Sequence, residues 1–223
     1  MKTPSADHSP ERASFSLGSI VRWPAGVLSC MVVGFVIALG VALIVLGAFG
    51  ADERGTVLAL RMTARWCFFL FWLAYTGSAI AKIFGPRFDG LARRGRELGL
   101  AFAAAQLVHL GLIFWLYYIS TGPGGGMVFF WVGMLCTYLL ALFSWPRVRN
   151  ALGPRFWRLI RTSAVEYIAL VFAADFIILP LQTGDGNYPI SYLPFALMLA
   201  IGASLRIIAL TRRRHDPVTL ASR

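Results

Sequence analysis

Charge is what this sequence has least of. Asp, Glu, Lys and Arg together make up 14% of 223 residues, where a soluble domain carries about a quarter. Hydrophobic residues reach 58% and the mean hydropathy is +0.69. A chain so apolar cannot build a water-facing surface and needs lipid as its solvent. Acids are scarcer still, ten against 21 basic residues, for a net charge of +11. That excess does not point to nucleic acid. The basic residues fall in short loops between apolar runs, and a nucleic-acid module needs polar surface between its arginines. Cysteine is limited to Cys30, Cys67 and Cys136, each within an apolar run and without paired spacing. A disulfide framework or a zinc site has no support in this pattern, and buried small hydrophobes are the default reading. No nucleophile elbow, phosphate loop or paired-histidine motif occurs. Nor is there room for a soluble nucleotide-binding domain, so electrons moved by this chain must come from another protein.

Long apolar runs are abundant. A hydrocarbon core of about 30 Å takes about 20 apolar residues in a helix. Six segments meet that length: Gly26–Gly50, Ala64–Phe84, Leu98–Ser120, Met127–Trp145, Thr162–Gln182 and Ile190–Leu210. The expected fold is all-α, a polytopic membrane bundle of about six transmembrane helices. Residues 26–210 form the bundle, 1–25 a cytoplasmic N-terminal tail and 211–223 a basic cytoplasmic C-terminal tail. The first run exceeds the roughly 7–15 residues of a signal-peptide core, so it reads as a retained helix. The sequences TGPGGG at Thr121–Gly126 and TGDGNYP at Thr183–Pro189 read as tight outer turns. With both termini inside, 18 of the 21 basic residues are cytoplasmic, and only Arg54, Arg61 and Arg65 lie outside. That asymmetry sets orientation and agrees with an even number of spans. Trp23, Trp66, Trp145, Tyr117, Tyr118 and Tyr192 fall near the interfaces, as an aromatic belt does.

Polar side chains inside lipid are expensive, so each asks for a reason. His109 falls near the middle of the third span, with Gln106 one turn before it on the same face. Its readings are three: axial ligand of a haem or other metal, proton relay, or hydrogen bond to a neighbouring helix. Glu166 and Asp175 share the fifth span, and a spacing of nine residues turns them to opposite sides. Glu166 lies within reach of Arg158, Arg161 and Arg206, which favours a structural ion pair. Asp175 sits deeper, with no basic residue at its level. Protonation or a hydrogen bond is the plain expectation, and ion or proton passage the sharper one. Met134, Met198, Cys136 and Tyr138 lie near the depth of His109. Pro180 and Pro194 flank the last outer turn, and Gly34, Gly40, Gly47, Gly77, Gly99 and Gly111 suit close helix packing.

The second span reads RWCFFLFWLAYTGSAIAKIFGP. It is followed by LARRGRELGLAFAAAQ and LVH. Over these forty-odd residues the chain resembles the ferric reductase-like transmembrane domain family, through Arg93, Arg94, Leu98, Gly99, Leu100, Ala101, Phe102 and His109. The resemblance implies a bacterial inner-membrane protein that holds b-type haem and passes electrons to or from a redox partner protein. His109 is its implied haem and metal ligand. The family's partner helix carries two further histidines. The matching positions here hold Ile160 and, near the second, Ala173. One histidine leaves a five-coordinate haem, a sixth ligand from Met134 or Met198, or a haem-free scaffold or small-molecule binding protein on the same fold.

Overall fold

The computed structural model describes residues 25–120, 127–183 and 188–215. The proposed N-terminal tail up to residue 24, the Thr121–Gly126 turn, residues 184–187 of the last turn and the end of the C-terminal tail lie outside the described residues. Every described element is helical. Ala25–Phe49 (α1), Glu53–Phe84 (α2) and a short 3₁₀ turn lead to Asp89–Arg93 (α3). Then come Gly95–Ile119 (α4), Met127–Phe143 (α5), Pro146–Leu152 (α6) and Pro154–Ala173 (α7). Beyond a widened turn at Ala174–Ile178 lie Leu179–Thr183 (α8), Tyr188–Ser191 (α9) and Leu193–His215 (α10).

Five helices are long and apolar enough to cross a membrane: α1, α2, α4, the unit Pro154–Gln182 and α10. The chain is a multi-pass membrane bundle, with its lipid-facing surface made of exposed Leu, Ile and Val such as Ile44 and Val36. The fourth predicted span, α5, has 17 residues and is about 25 Å long at 1.5 Å per residue. It is shorter than the other five.

The second span starts earlier than hydropathy indicates. Asp52 caps α2, its side chain accepting from the Gly55 N–H at 2.8 Å, and Glu53 suits the positive end of the helix dipole. The helix runs for 32 residues, so Arg54 and Arg61 ride on its first turns instead of a loop, ahead of Arg65. Pro154 opens α7 after Gly153, whose φ of +73° no side chain adopts readily. The widened turn in the same long helix precedes Pro180. That proline has no N–H to return to Phe176, and its ring crowds that carbonyl, so the helix loosens there.

The core gathers around α2. α1 and α4 pack on it and on each other, α10 joins from the other side, and α5 packs on α7. Gly34 makes the α1–α4 contact possible: a Cβ there would lie 2.8 Å from the Ala101 carbonyl oxygen. Gly77 meets Leu91 at 3.0 Å in the same way. Gly40, Gly47, Gly99 and Gly111 face nothing within 4 Å. The expectation of close packing therefore fails at those four, because smallness matters only on a face that meets another backbone. Trp66 and Tyr192 also depart from the interfacial belt. Trp66 donates its indole N–H to the Gly34 carbonyl at 3.1 Å, and Tyr192 is buried.

Phenylalanines fill the centre. Phe68 and Phe71 of α2, Phe102 of α4, Phe172 of α7, Phe176 and Phe195 form a chain of ring contacts with centroids 5.0–6.1 Å apart. Such pairs add about 0.5–1.5 kcal/mol each beyond area burial.

Candidate functional site

His109 meets α2 at Thr63. Its Nδ1 lies 3.0 Å from Thr63 Oγ1, and Thr63 is fully buried. The threonine hydroxyl has one proton, and it is already directed at the Ala59 carbonyl at 2.9 Å, with Leu60 O at 3.1 Å. With the proton on the nearer of these partners, the Ala59 carbonyl, the hydroxyl oxygen is an acceptor, and the assignment that follows is Nδ1–H donating to Thr63. The Nε2 lone pair is then the basic atom of the ring. Metal-bound histidines use this arrangement, with one nitrogen fixed by an outer partner and the other on the ion. Cys67 lies one turn along α2 from Thr63, and Gln106 one turn along α4 from His109. Gln106 Oε1 and the Tyr138 hydroxyl are buried there without a hydrogen-bond partner.

Of the ligand positions that the resemblance implies, only His109 carries a nitrogen donor. Across from α2, the long fifth helix presents Phe172 and Phe176 edge-on to Phe68, with Phe172 also tilted against Phe71, and Ile160 and Ala173 offer no donor. Met134 is buried, and Met198 packs partly buried against the core while its carbonyl accepts the Trp72 indole N–H at 2.6 Å. Among the described residues no group of three or more His, Cys, Asp or Glu is placed to hold a metal ion.

The two acids of the fifth span go to different places. Glu166 forms the ion pair its position suggested, Oε1 to Arg206 at 2.7 Å. Tyr75 donates its hydroxyl to Glu166 Oε2 at 3.0 Å. The Arg206 guanidinium also donates to the Tyr75 carbonyl at 3.3 Å and lies 4.3 Å from the centre of its ring. Side chains from α2, α7 and α10 are thus tied in one network. Asp175 sits in the widened turn, and the expectation that it lacks a basic neighbour is corrected. Arg61 of α2 acts on it electrostatically, because α2 is already helical where hydropathy suggested a loop. Arg65, one turn on, donates to the Ser191 carbonyl at 3.1 Å and lies over the Phe195 ring at 5.4 Å.

A feature absent from the sequence reading lies at the other end. A cavity of about 900 Å³ opens between α2, α4, α5, α6, α7 and α10. Lys82, Arg96, Arg149, Arg158, Arg161 and Arg206 line it, and no Asp or Glu is among the described residues that do. Its deeper wall is apolar and aromatic, with Phe71, Phe102, Leu140 and Ile168. Sequence gave one signal, the excess of arginine in two loops. It could not show that residues spread from 82 to 206 converge. Cavities of about 300–1,000 Å³ with apolar walls and a few directed polar groups are the usual form of small-molecule sites. His109 is not among the lining residues.

No family model matches this chain, and neither a characterised protein nor a solved structure matches it.

Proposed function

We propose that this chain is a membrane protein that binds an anionic, partly apolar molecule in the cavity at its basic end. It is a small-molecule binding bundle on a ferric reductase-like fold. The observation that carries the proposal is the pairing of six cations with an aromatic floor in one cavity without a lining carboxylate. Cations brought together around one space repel one another, and an anion among them relieves that repulsion. The Phe68–Phe172–Phe176 packing supports a bundle that is complete without a flat cofactor between α2 and α7. On this reading the basic end faces the cytoplasm of a bacterial inner membrane, following the charge asymmetry.

The test is thermal unfolding of the detergent-purified protein with anionic and zwitterionic amphiphiles of equal chain length. A ligand at 100 times its Kd stabilises by about 2.7 kcal/mol. Anionic amphiphiles are expected to raise the melting temperature, and zwitterionic ones to leave it unchanged. Equal response to both overturns the proposal.

The second reading is a transmembrane electron-transfer subunit with one b-type haem near His109, working with a redox partner protein. It is favoured by the proton arrangement at His109, which leaves Nε2 as a donor. The haem would supply a one-electron couple. The chain's part is to hold the ring through Thr63 and to keep water away with α1 and α4. Purified protein with a Soret band that shifts on reduction, lost in His109→Ala, supports this reading. Colourless protein that takes up no added haem sinks it.

A further inference from the structure

The cavity's charge and shape narrow its occupant further, and the narrowing rests on the reading of the cavity as a binding site. Five of the six lining cations are arginines. Arginine presents a planar fork of donors that matches phosphate oxygens in pairs, and it stays charged when partly buried. Arg206 is already held by Glu166 and Tyr75, so it serves as fixed wall. Arg158 and Arg161 sit three residues apart on α7, on one face of that helix, and Arg149 of α6 and Lys82 of α2 line the same space. A carboxylate brings one negative charge and two acceptor atoms to such a group. A phosphate monoester brings about −1.5 to −2 and three terminal acceptor oxygens. The group's charge is better balanced by the monoester.

The depth of the cavity sets the rest of the molecule. From Arg96 to Phe102 along α4, and from Arg161 to Ile168 along α7, the rise is about 9–11 Å at 1.5 Å per residue. The cationic level and the apolar floor are separated by that distance inside one space. Inorganic phosphate would fill only the upper part. We propose that the cavity binds a lipid with a phosphate-monoester headgroup, its head on Arg149, Arg158, Arg161 and Lys82 and its apolar body against Phe71, Phe102 and Ile168.

The alternative source of these cations is general membrane orientation, which needs positive charge at this end but no particular direction of it. Arg155 provides the contrast. It lies on α7 one turn before Arg158 and is exposed like Arg149, Arg158 and Arg161, yet it does not line the cavity.

The experiment is native mass spectrometry, with matched titrations of the full chain in neutral detergent. The probes are phosphatidic acid, phosphatidylglycerol with the same acyl chains, the free fatty acid, and inorganic phosphate. Phosphatidic acid is expected to bind about tenfold tighter than the diester lipid or the carboxylate, the ratio that one added charge-assisted contact gives. Inorganic phosphate is expected to compete only weakly. Arg158→Gln with Arg161→Gln should remove the tenfold preference, and Arg155→Gln should keep it. If the double variant does not fold, Arg149→Gln on the separate helix α6 should weaken phosphatidic acid binding by several-fold. Equal binding of the monoester, the diester and the fatty acid overturns the headgroup assignment while leaving an anion-binding cavity. Inorganic phosphate that binds as tightly as the lipid overturns the lipid assignment. No binding of any anionic amphiphile overturns the cavity reading itself. An unchanged preference in Arg158→Gln, Arg161→Gln places the lipid elsewhere and overturns the proposal.

Discussion

The Thr63–His109 contact makes a prediction whose sign follows from where two protons sit. Thr63→Val keeps the side-chain shape and removes the hydroxyl. The His109 Nδ1–H then loses its acceptor at the fully buried Thr63 position, with the ring itself partly buried. Leaving such a donor unpaired costs about 1–3 kcal/mol in a soluble interior. Interhelical hydrogen bonds in membranes average about 0.6 and reach about 1.7 kcal/mol, because the unfolded chain in lipid finds other partners. Thr63→Val is therefore expected to cost about 0.6–1.7 kcal/mol. Thr63→Ser retains the hydroxyl and is expected to cost less. In a His109→Leu background the donor is gone, and Thr63→Val should then be nearly silent. The coupling energy of the cycle is the full value of the bond. It can be read from equilibrium unfolding of the four proteins in mixed micelles with a denaturing detergent. Additivity within about 0.3 kcal/mol, the behaviour of independent sites, would refute the proton assignment, and so would a Thr63→Ser as damaging as Thr63→Val.

Gly34→Val places atoms against the Ala101 carbonyl, where a Cβ alone comes within 2.8 Å. It should destabilise by about 1–3 kcal/mol, while Gly40→Ala, facing open space, should leave the melting temperature unchanged. Asp175→Asn should fold normally. Asp175→Lys puts a second cation near Arg61 and a charge at a depth that costs about 2.5–3.5 kcal/mol on insertion scales, so normal accumulation of the Lys variant would refute this placement. Reporter fusions after Arg96, Arg161 and Arg223 should report the cytoplasm, and fusions within Gly124–Gly126 the opposite side. A C-terminal fusion on the outside contradicts an even number of spans.

Hydropathy was enough for α1, α4 and α10, where apolar runs coincide with helices, and the all-α class follows from them. It was not enough for the start of α2. Arg54, Arg61 and Arg65 lower the window average there, although Asp52 caps the helix before them. Misplacing that start hid the neighbour of Asp175. At His109 the sequence supplied the depth and the three readings. The proton assignment needed Ala59 O and Thr63 Oγ1 in space. Glu166 was readable because its partner is a long side chain on a helix of known direction. Tyr75, which completes that network from α2, carries no signal in sequence beyond being a tyrosine in a span.

The two ends of the bundle treat their cations differently, and this bears on function. At the end that holds Arg61 and Arg65, Arg65 meets acceptors within the bundle, the Ser191 carbonyl and the Phe195 ring, and is accounted for by structure. Arg61 lies within electrostatic range of Asp175. At the other end Arg206 is accounted for in the same way by Glu166 and Tyr75. Yet the cavity beside it collects arginines from α4, α6 and α7 and a lysine from α2 with no lining carboxylate. Orientation of a membrane protein requires only that such residues lie on one side, and a residue that lines no cavity, like Arg155 on α7, meets that requirement equally well. Lining a half-apolar cavity with them gathers like charge around one space, which orientation alone does not require. The basic cavity, with Arg149, Arg158, Arg161 and Lys82 around one half-apolar space, is therefore the part of this structure that best fits a partner outside the chain.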